Sequence, residues 1–370
     1  MATIEVWDPT GTYQYPNMDD ELQEIKYSSI IYGGFATFSG SLFRKPWRYY
    51  PELSPRNIVR VRSRHAVAWE GRISAPGVDM TSFKFSVQAD GPIERLKTRL
   101  SLVSLAAGIY SGAWITTNLI GDSDLGYLAG TIDNGYQFPD GIDWTSGVYY
   151  APALQAINKA NNKRYGFFPP SASNLLGNRF DFASISTTPD YYLDIEDCDT
   201  KIQYTVEGIE NVLYVAYTTD GSAYSYFWWP HDGGGAPLPD TTSAGLYGRR
   251  DGKLAFPGKT SLPQAEQMAQ IALDWRKRIR PASDIVARRI TDVTGAEIPI
   301  AEVQAGKVLH IRGINAGEFT LLTAQSLNEL STWPIVLAQS DIDKGTVTLS
   351  AGGLSSKLDM LMARMEMVKR

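Results

Sequence analysis

Apolar and polar residues alternate along much of the chain with the period of a β-strand. In Ile58-Val59-Arg60-Val61-Arg62 the valines fall on one face, and Arg60, Arg62 and Arg64 on the other. Residues 32–38 open a strand at the glycine pair Gly33-Gly34. Residues 66–73 return through Trp69-Glu70-Gly71, and residues 83–87 alternate again. Residues 27–90 therefore predict a hairpin-built sheet with one buried face. Strand patterns recur at residues 202–206, 212–217, 285–290, 307–312, 319–324 and 346–350. The basic alternation of Arg60 and Arg62 returns at Lys307, His310 and Arg312, a faint sign of two related β-domains.

Helical spacing appears at fewer places. Asp90 can cap a helix with Pro92 in its first turn and Ile93, Leu96, Leu100 and Val103 on one stripe. A short helix is predicted over residues 152–163. The clearest helix covers residues 262–279, with Ser261 as N-cap, Gln264 completing a capping box and Pro263 in the first turn. Its stripe is Ala265, Met268, Ala272, Trp275 and Ile279, with Trp275 as the expected packing anchor. Basic residues from Arg276 to Arg280 suit the helix C-terminus, and Pro281 stops it. Leu354, Leu358, Leu361, Met362 and Met365 predict a final amphipathic helix. Residues 106–200 are rich in Gly, Asn, Asp, Pro and Tyr and read as a loop-rich insertion. Gly233-Gly234-Gly235 marks a mobile loop.

Composition sharpens this picture. At 370 residues, 43% hydrophobic and 20% charged, the chain is an ordinary globular protein with room for two or three cores. Abundant Tyr, Phe and Trp beside 33 Gly and 20 Pro favour strands and turns. A net charge of −5 argues against wholesale coating of nucleic acid, which needs a basic surface. The N-terminus has neither the basic nor the apolar region of a signal peptide, and no apolar run reaches membrane-spanning length; a soluble product is expected.

Candidate chemistry is sparse. His65, His231 and His310 lack metal-ligand spacing, and no nucleophile elbow, P-loop or dinucleotide fingerprint is present. Cys198 reads as a small buried hydrophobe. The acidic run Asp190, Asp194, Glu196, Asp197 and Asp199 could supply paired carboxylates for glycoside hydrolysis, with Asp194 and Glu196 sharing a strand face, or oxygens for Ca²⁺. A solvated surface turn explains it better, since acidic residues crowd such turns and the glycine of a Ca²⁺ loop is missing. No cofactor, metal or catalytic residue is expected. The opposite cluster, residues 44–64, interleaves seven basic residues with Trp47, Tyr49 and Tyr50 against one acid, Glu52. Such residues can hold single-stranded nucleic acid, but in an acidic chain they read better as a protein-partner surface. Arg44, Trp47, Arg48, Tyr49, Arg60 and Arg62 are its expected contact residues.

The order of features also resembles a known group. It comprises Val59-Arg60-Val61-Arg62, Trp69-Glu70-Gly71-Arg72-Ile73 and Phe85-Ser86-Val87-Gln88-Ala89-Asp90-Gly91, then Asn211-Val212-Leu213-Tyr214-Val215 and Tyr247-Gly248-Arg249-Arg250-Asp251. The 265–279 helix, Asp292-Val293-Thr294-Gly295-Ala296-Glu297-Ile298-Pro299-Ile300 and Gly306-Lys307-Val308-Leu309-His310-Ile311 follow. This succession is similar to minor tail proteins of long-tailed phages, the tail-hub or baseplate-hub group, related in architecture to contractile-tail hubs and type VI secretion spikes. The resemblance implies a mainly β fold of two tube-like β-barrel domains with a loop-rich insertion. The expected divisions are 1–105, 106–200, 201–300 and 301–370. It implies a homotrimeric ring at the tail tip of a virion assembled in the host cytoplasm. Implied partners are a distal tail ring, the C-terminus of a tape-measure protein and a spike or fibre, with DNA only passing through the lumen. A glycan-binding or cell-wall-degrading tail protein, using the aromatic and acidic middle region, is the alternative.

Overall fold

In the computed structural model the alternating positions of the first ninety residues become one antiparallel sheet. The structure describes residues 2–16, 18–43, 48–64, 67–79, 84–144, 147–168, 179–198, 204–205, 208–278, 280–281, 284–313 and 331–351. The first six principal strands are β1 (Thr3–Trp7), β2 (Gln23–Ile30), β3 (Tyr32–Phe43), β4 (Ile58–Arg62), β5 (Val67–Asp79) and β6 (Lys84–Asp90). They pair in the order β1-β4-β5-β6-β3-β2. Trp69 on β5 is fully buried, with the rings of Phe35 and Phe38 at 6.3 and 5.4 Å. Such aromatics carry most of the area removed from water in a core.

Asp90 belongs to the β6 ladder, opposite Thr37 and Arg72, rather than capping a helix. The helix α1 (Ile93–Thr98) is accordingly short. It buries Ile93 and Leu96 but leaves Leu100 and Val103 beyond its end and exposed.

Residues 106–200 contribute more strand than their turn-rich composition suggests. They contain β7 (Leu128–Ile132), helix α2 (Tyr150–Lys159), β8 (Lys163–Phe167), β9 (Arg179–Ser184) and β10 (Tyr191–Asp194). β8 lies parallel to the start of β3 and antiparallel to β9, which runs parallel to β7. Glycine makes the β3–β8 approach possible. At Gly34, with φ +73°, a Cβ would stand 2.0 Å from the Phe167 carbonyl oxygen.

A separate three-stranded sheet follows, β11 (Val212–Thr218), β12 (Ser225–Trp229) and β13 (Asp251–Lys259), with β11 in the middle. Helix α3 (Leu262–Arg276) buries Gln264, Ala265, Met268, Ala269 and Leu273. This stripe is rotated from the predicted one. Trp275 is only partly buried, its indole N–H donating to Asn162 Oδ1 at 2.9 Å, and Ala272 is likewise half-covered. The expected capping box does not form: Ser261 makes no side-chain cap, its hydroxyl is buried without a partner, and Gln264 faces inward.

The last strands are β14 (Ile285–Ala287), β15 (Val308–Arg312), β16 (Thr332–Asp341) and β17 (Thr346–Ala351). β16 pairs with β15, β17 and β2, while β17 pairs with β14 and β10 lies parallel to β15. Leu193, Ile285, Leu309, Ile311, Trp333, Ile335, Val347 and Leu349 form their own core. Pairing thus crosses the expected divisions at 105 and 300, since β3 joins β8 and β2 joins β16. The architecture is mainly β with few helices. Ile279, the predicted strand at 319–324 and the predicted final helix lie outside the described residues. Among the described residues no helix is long and apolar enough to cross a membrane.

Candidate partner interface

The six residues expected at a partner surface are placed very differently. Arg44 and Trp47 lie outside the described residues. Arg48 and Tyr49 follow β3 and precede a short turn over Pro51–Leu53. The Arg48 guanidinium donates to Glu21 and, at 2.7 Å, to buried Glu52, and it lies 4.9 Å from the Tyr50 ring centre. Two carboxylates and a ring fix its direction. Tyr49 beside it stands 82% exposed, an outward aromatic next to an oriented cation.

Arg60 turns inward. β4 is flanked by β1 and β5, and every residue from Ile58 to Val61 is buried. The Arg60 Nε donates to Glu70 Oε2 at 2.6 Å, and the Trp7 ring lies 5.1 Å from its guanidinium. A buried arginine survives in a fold because it is paired and hydrogen-bonded. The solvent-facing row predicted for Arg60 is therefore an interior ion pair. Arg62, half-exposed, donates to Glu5 Oε1 at 2.8 Å, and Trp7 donates to the other Glu5 oxygen at 3.1 Å.

The acidic run offers little chemistry. Asp190 accepts from the Lys307 ammonium at 2.9 Å and from the Val308 amide at 3.0 Å. β10 ends at Asp194 and a 3₁₀ turn covers Ile195–Asp197, so Asp194 and Glu196 do not share a strand face as predicted. Burial pushes the Asp181 carboxyl above its ordinary range, yet its oxygens are occupied by the Thr131 amide at 2.9 Å and Arg164 at 3.4 Å. His310 Nδ1 lies 2.9 Å from Thr332 Oγ1, and burial, with Arg312 nearby, holds its pKa below the usual histidine value. His231 contacts the Asp232 carbonyl at 2.8 Å, and His65 lies outside the described residues. Cys198 is partly buried, its thiol 3.7 Å from the Asp194 carbonyl. Among the described residues no three His, Cys, Asp or Glu side chains come together to hold a metal.

A second aromatic surface was missed from the sequence. On β11 and β12, Leu213, Val215, Phe227 and Trp229 pack inward, leaving Tyr214, Tyr226 and Trp228 on the other face. Tyr214 stacks on Tyr226, with centroids 5.6 Å apart and planes 8° apart, and touches Trp228 at 4.9 Å. Arg249, paired with Asp251 at 2.7 Å, lies over the Trp228 ring at 5.4 Å. Tyr226 is 57% exposed. Alternating aromatics on neighbouring strands were the available signal. They were obscured because both faces of these strands carry aromatic residues. Aromatics grouped with arginine are the residues that dominate protein interfaces.

The fold recurs in known proteins. A tail protein from Neisseria meningitidis aligns over 95% of this chain and 96% of its own, at 12% identity and a TM-score of 0.58. A 43 kDa tail protein of prophage MuSo2 from Shewanella oneidensis covers 95% and 98%, at 13% identity and a TM-score of 0.59. A prophage tail protein from Listeria monocytogenes matches over both full lengths, at 9% identity and a TM-score of 0.56. No protein-family model matches the sequence, and a search of curated proteins finds no match. The chain has the architecture of phage tail proteins, as the resemblance implied.

Proposed function

We propose that this chain is a structural component of a phage tail tip, a hub that works by assembly rather than by catalysis. The observation that carries this reading is the recurrence of its fold, nearly end to end, in three tail proteins, two of them from prophages. The outward Arg48–Tyr49 and Tyr214–Tyr226–Trp228 surfaces support it, since each joins exposed aromatic area to an oriented cation. The proposed assembly is a homotrimeric ring in which each chain contributes two tube-like β-domains. Six similar domains then face a sixfold distal tail ring, and threefold symmetry faces a spike or fibre. Closing a ring also pairs sheet edges that would otherwise stay open. The tape-measure C-terminus and passing DNA occupy the lumen in this scheme, and Arg62 with Arg48 and Tyr49 belongs to a partner contact.

Averaged images of assembled tails test the stoichiometry. A threefold density for this chain at the tip is expected, and a sixfold or single-copy position would sink the ring. A lytic role is tested by replacing Asp194 and Glu196 with Asn and Gln. Tails should assemble and infect normally, and well-formed but non-infectious particles would revive a cell-wall hydrolase.

A further inference from the structure

The turn that leads into β4 is closed by the Asn57 amide, which donates to the Ser54 carbonyl at 3.2 Å. Pro55 takes its first central position and Arg56, with φ +75°, its second. That second position needs a left-handed backbone, which suits Gly or Asn and strains a long side chain. The Arg56 side chain makes no polar contact that would offset the strain. It is exposed and, among the described residues, forms neither a hydrogen bond nor an ion pair. A strained backbone that does nothing for the fold points to a role elsewhere.

Two further arginines gather beside it. Arg72 on β5 stands between Ile58 of β4 and Asp90 of β6. Its charged neighbours therefore come from both flanks, Arg56 from the turn before β4 and Arg95 from α1 after β6. Half-buried Arg72 donates through Nη1 to the carbonyls of Pro9 and Arg56, at 3.0 Å each. Arg95 donates to the carbonyls of Leu125 at 3.3 Å and Asp124 at 3.0 Å, and lies 5.6 Å from the Tyr127 ring centre. Backbone oxygens thus aim both guanidiniums without neutralising them. Burial, and after it Arg95 and Arg56, hold the Arg72 pKa below the usual arginine value, as like charges kept close together do.

The carboxylates of this region are turned to other groups. Glu70 pairs with Arg60 at 2.6 Å, Glu94 with Lys97, and Asp122 and Asp124 share Arg99 at 3.0 and 2.6 Å. Asp8, before Pro9, accepts from Thr10, Thr12 and Tyr13 of its own loop. Asp90 faces Arg72 across the ladder, but among the described residues it forms no ion pair. These acids moderate the local field, yet they leave hydrogen-bond donors unused. Arg56 keeps its whole fork of N–H groups, and Arg72 and Arg95 keep those that do not meet a carbonyl.

We propose that this arginine cluster docks an acidic segment of a partner protein, whose carboxylates take the free N–H donors of Arg56, Arg72 and Arg95. A guanidinium fork matches a carboxylate in plane and spacing, and a fork already aimed loses little freedom on binding. Cations brought together from a turn, a strand and a helix suit an extended run of acids better than one small anion. The acidity of the chain as a whole argues against a nucleic acid as the occupant. The docking site stands whether or not the chain forms a ring.

The test uses the full chain at low salt, with a labelled polyglutamate peptide and a labelled single-stranded thymidine oligonucleotide followed by fluorescence anisotropy. Saturable binding of polyglutamate, weakening as salt is added, is expected. Arg56→Asn removes the cation and places at φ +75° a residue that suits it, so the melting temperature should hold or rise. The same change should weaken polyglutamate binding about threefold, and Arg56→Asn with Arg95→Gln about tenfold. No binding of polyglutamate, or an affinity unchanged by the double replacement, would overturn the proposal. Binding lost only together with melting temperature would assign these side chains to the fold and overturn it too. Tighter binding of the oligonucleotide than of polyglutamate would replace the acidic protein with a nucleic acid.

Discussion

Strands β4 and β15 carry the same alternation, yet their basic residues meet opposite fates. In β4, Val59 and Val61 alternate with Arg60 and Arg62; in β15, Leu309 and Ile311 alternate with His310 and Arg312. The apolar residues of both are buried. On the second face of β4, Trp7 closes over Arg60, while Glu70 and Glu5 supply counter-charges from the strands on either side. The second face of β15 stays partly open. Arg312 lies 4.4 Å from the Tyr192 ring, and His310 sits edge-on to the same ring at 5.6 Å. Alternation therefore fixes which side chains share a face, but a neighbouring strand decides whether that face sees water.

The largest way to break this contrast is Glu70→Ala, which strands the buried Arg60 guanidinium. Stability should fall by about 3–5 kcal/mol, read from denaturant unfolding, because an uncompensated charge remains in the interior. Replacing both partners, Arg60→Met with Glu70→Leu, should recover most of that loss. A cost below about 1 kcal/mol for Glu70→Ala would mean the pair is effectively solvated, and the contrast with β15 would collapse.

Arg312→Ala on the open strand should cost only about 0.5–1 kcal/mol, the value of a cation over a ring at an accessible site. A larger loss would show β15 to be covered like β4. The smallest effect is pH dependence through His310. Its folded pKa lies below the reference value of 6.5, because burial and then Arg312 disfavour the charged form. Between the folded and unfolded values the unfolded chain binds more protons, so stability rises with pH across that window. The penalty is complete below the folded value and gone above the unfolded one. His310→Asn should flatten this slope in melting curves recorded on the acid side of 6.5, and an unchanged slope would remove His310 as its source.

Strand β4 was legible because its pattern is strict and its hairpin partner β5 follows directly in sequence; the predicted and observed bounds, 58–62, coincide. β2 and β16 were not read as strands. Pro334 within β16 argues against a strand from sequence, and the partner that secures its pairing lies at the other end of the chain. Gly130 on β7 and Gly166 on β8 read as loop, whereas Gly166 is where β8 meets β3 backbone to backbone. For α3 the period was right but the face was rotated, so Leu273 is buried where Trp275 was expected. The two stripes share Ala265 and Met268 and both look amphipathic, and only packing against β11 selects between them. The partner surface was half-legible for the same reason that β4 and β15 diverge. Tyr49 could be read as an outward aromatic, but nothing local announced that Glu70 would draw Arg60 inside.

The pairing of β2 with β16 has a consequence for synthesis on the ribosome. Residues 26–30 meet their partners at 337–341, so this edge of the N-terminal sheet stays open until almost the whole described chain has emerged. At translation rates of about 5–20 residues per second, that interval is roughly 15–60 seconds. A nascent chain at this stage carries an unpaired strand edge that another nascent chain could occupy. Crowded polysomes making many copies at once should therefore be where misassembly begins, and slower initiation should raise the yield of correctly folded protein.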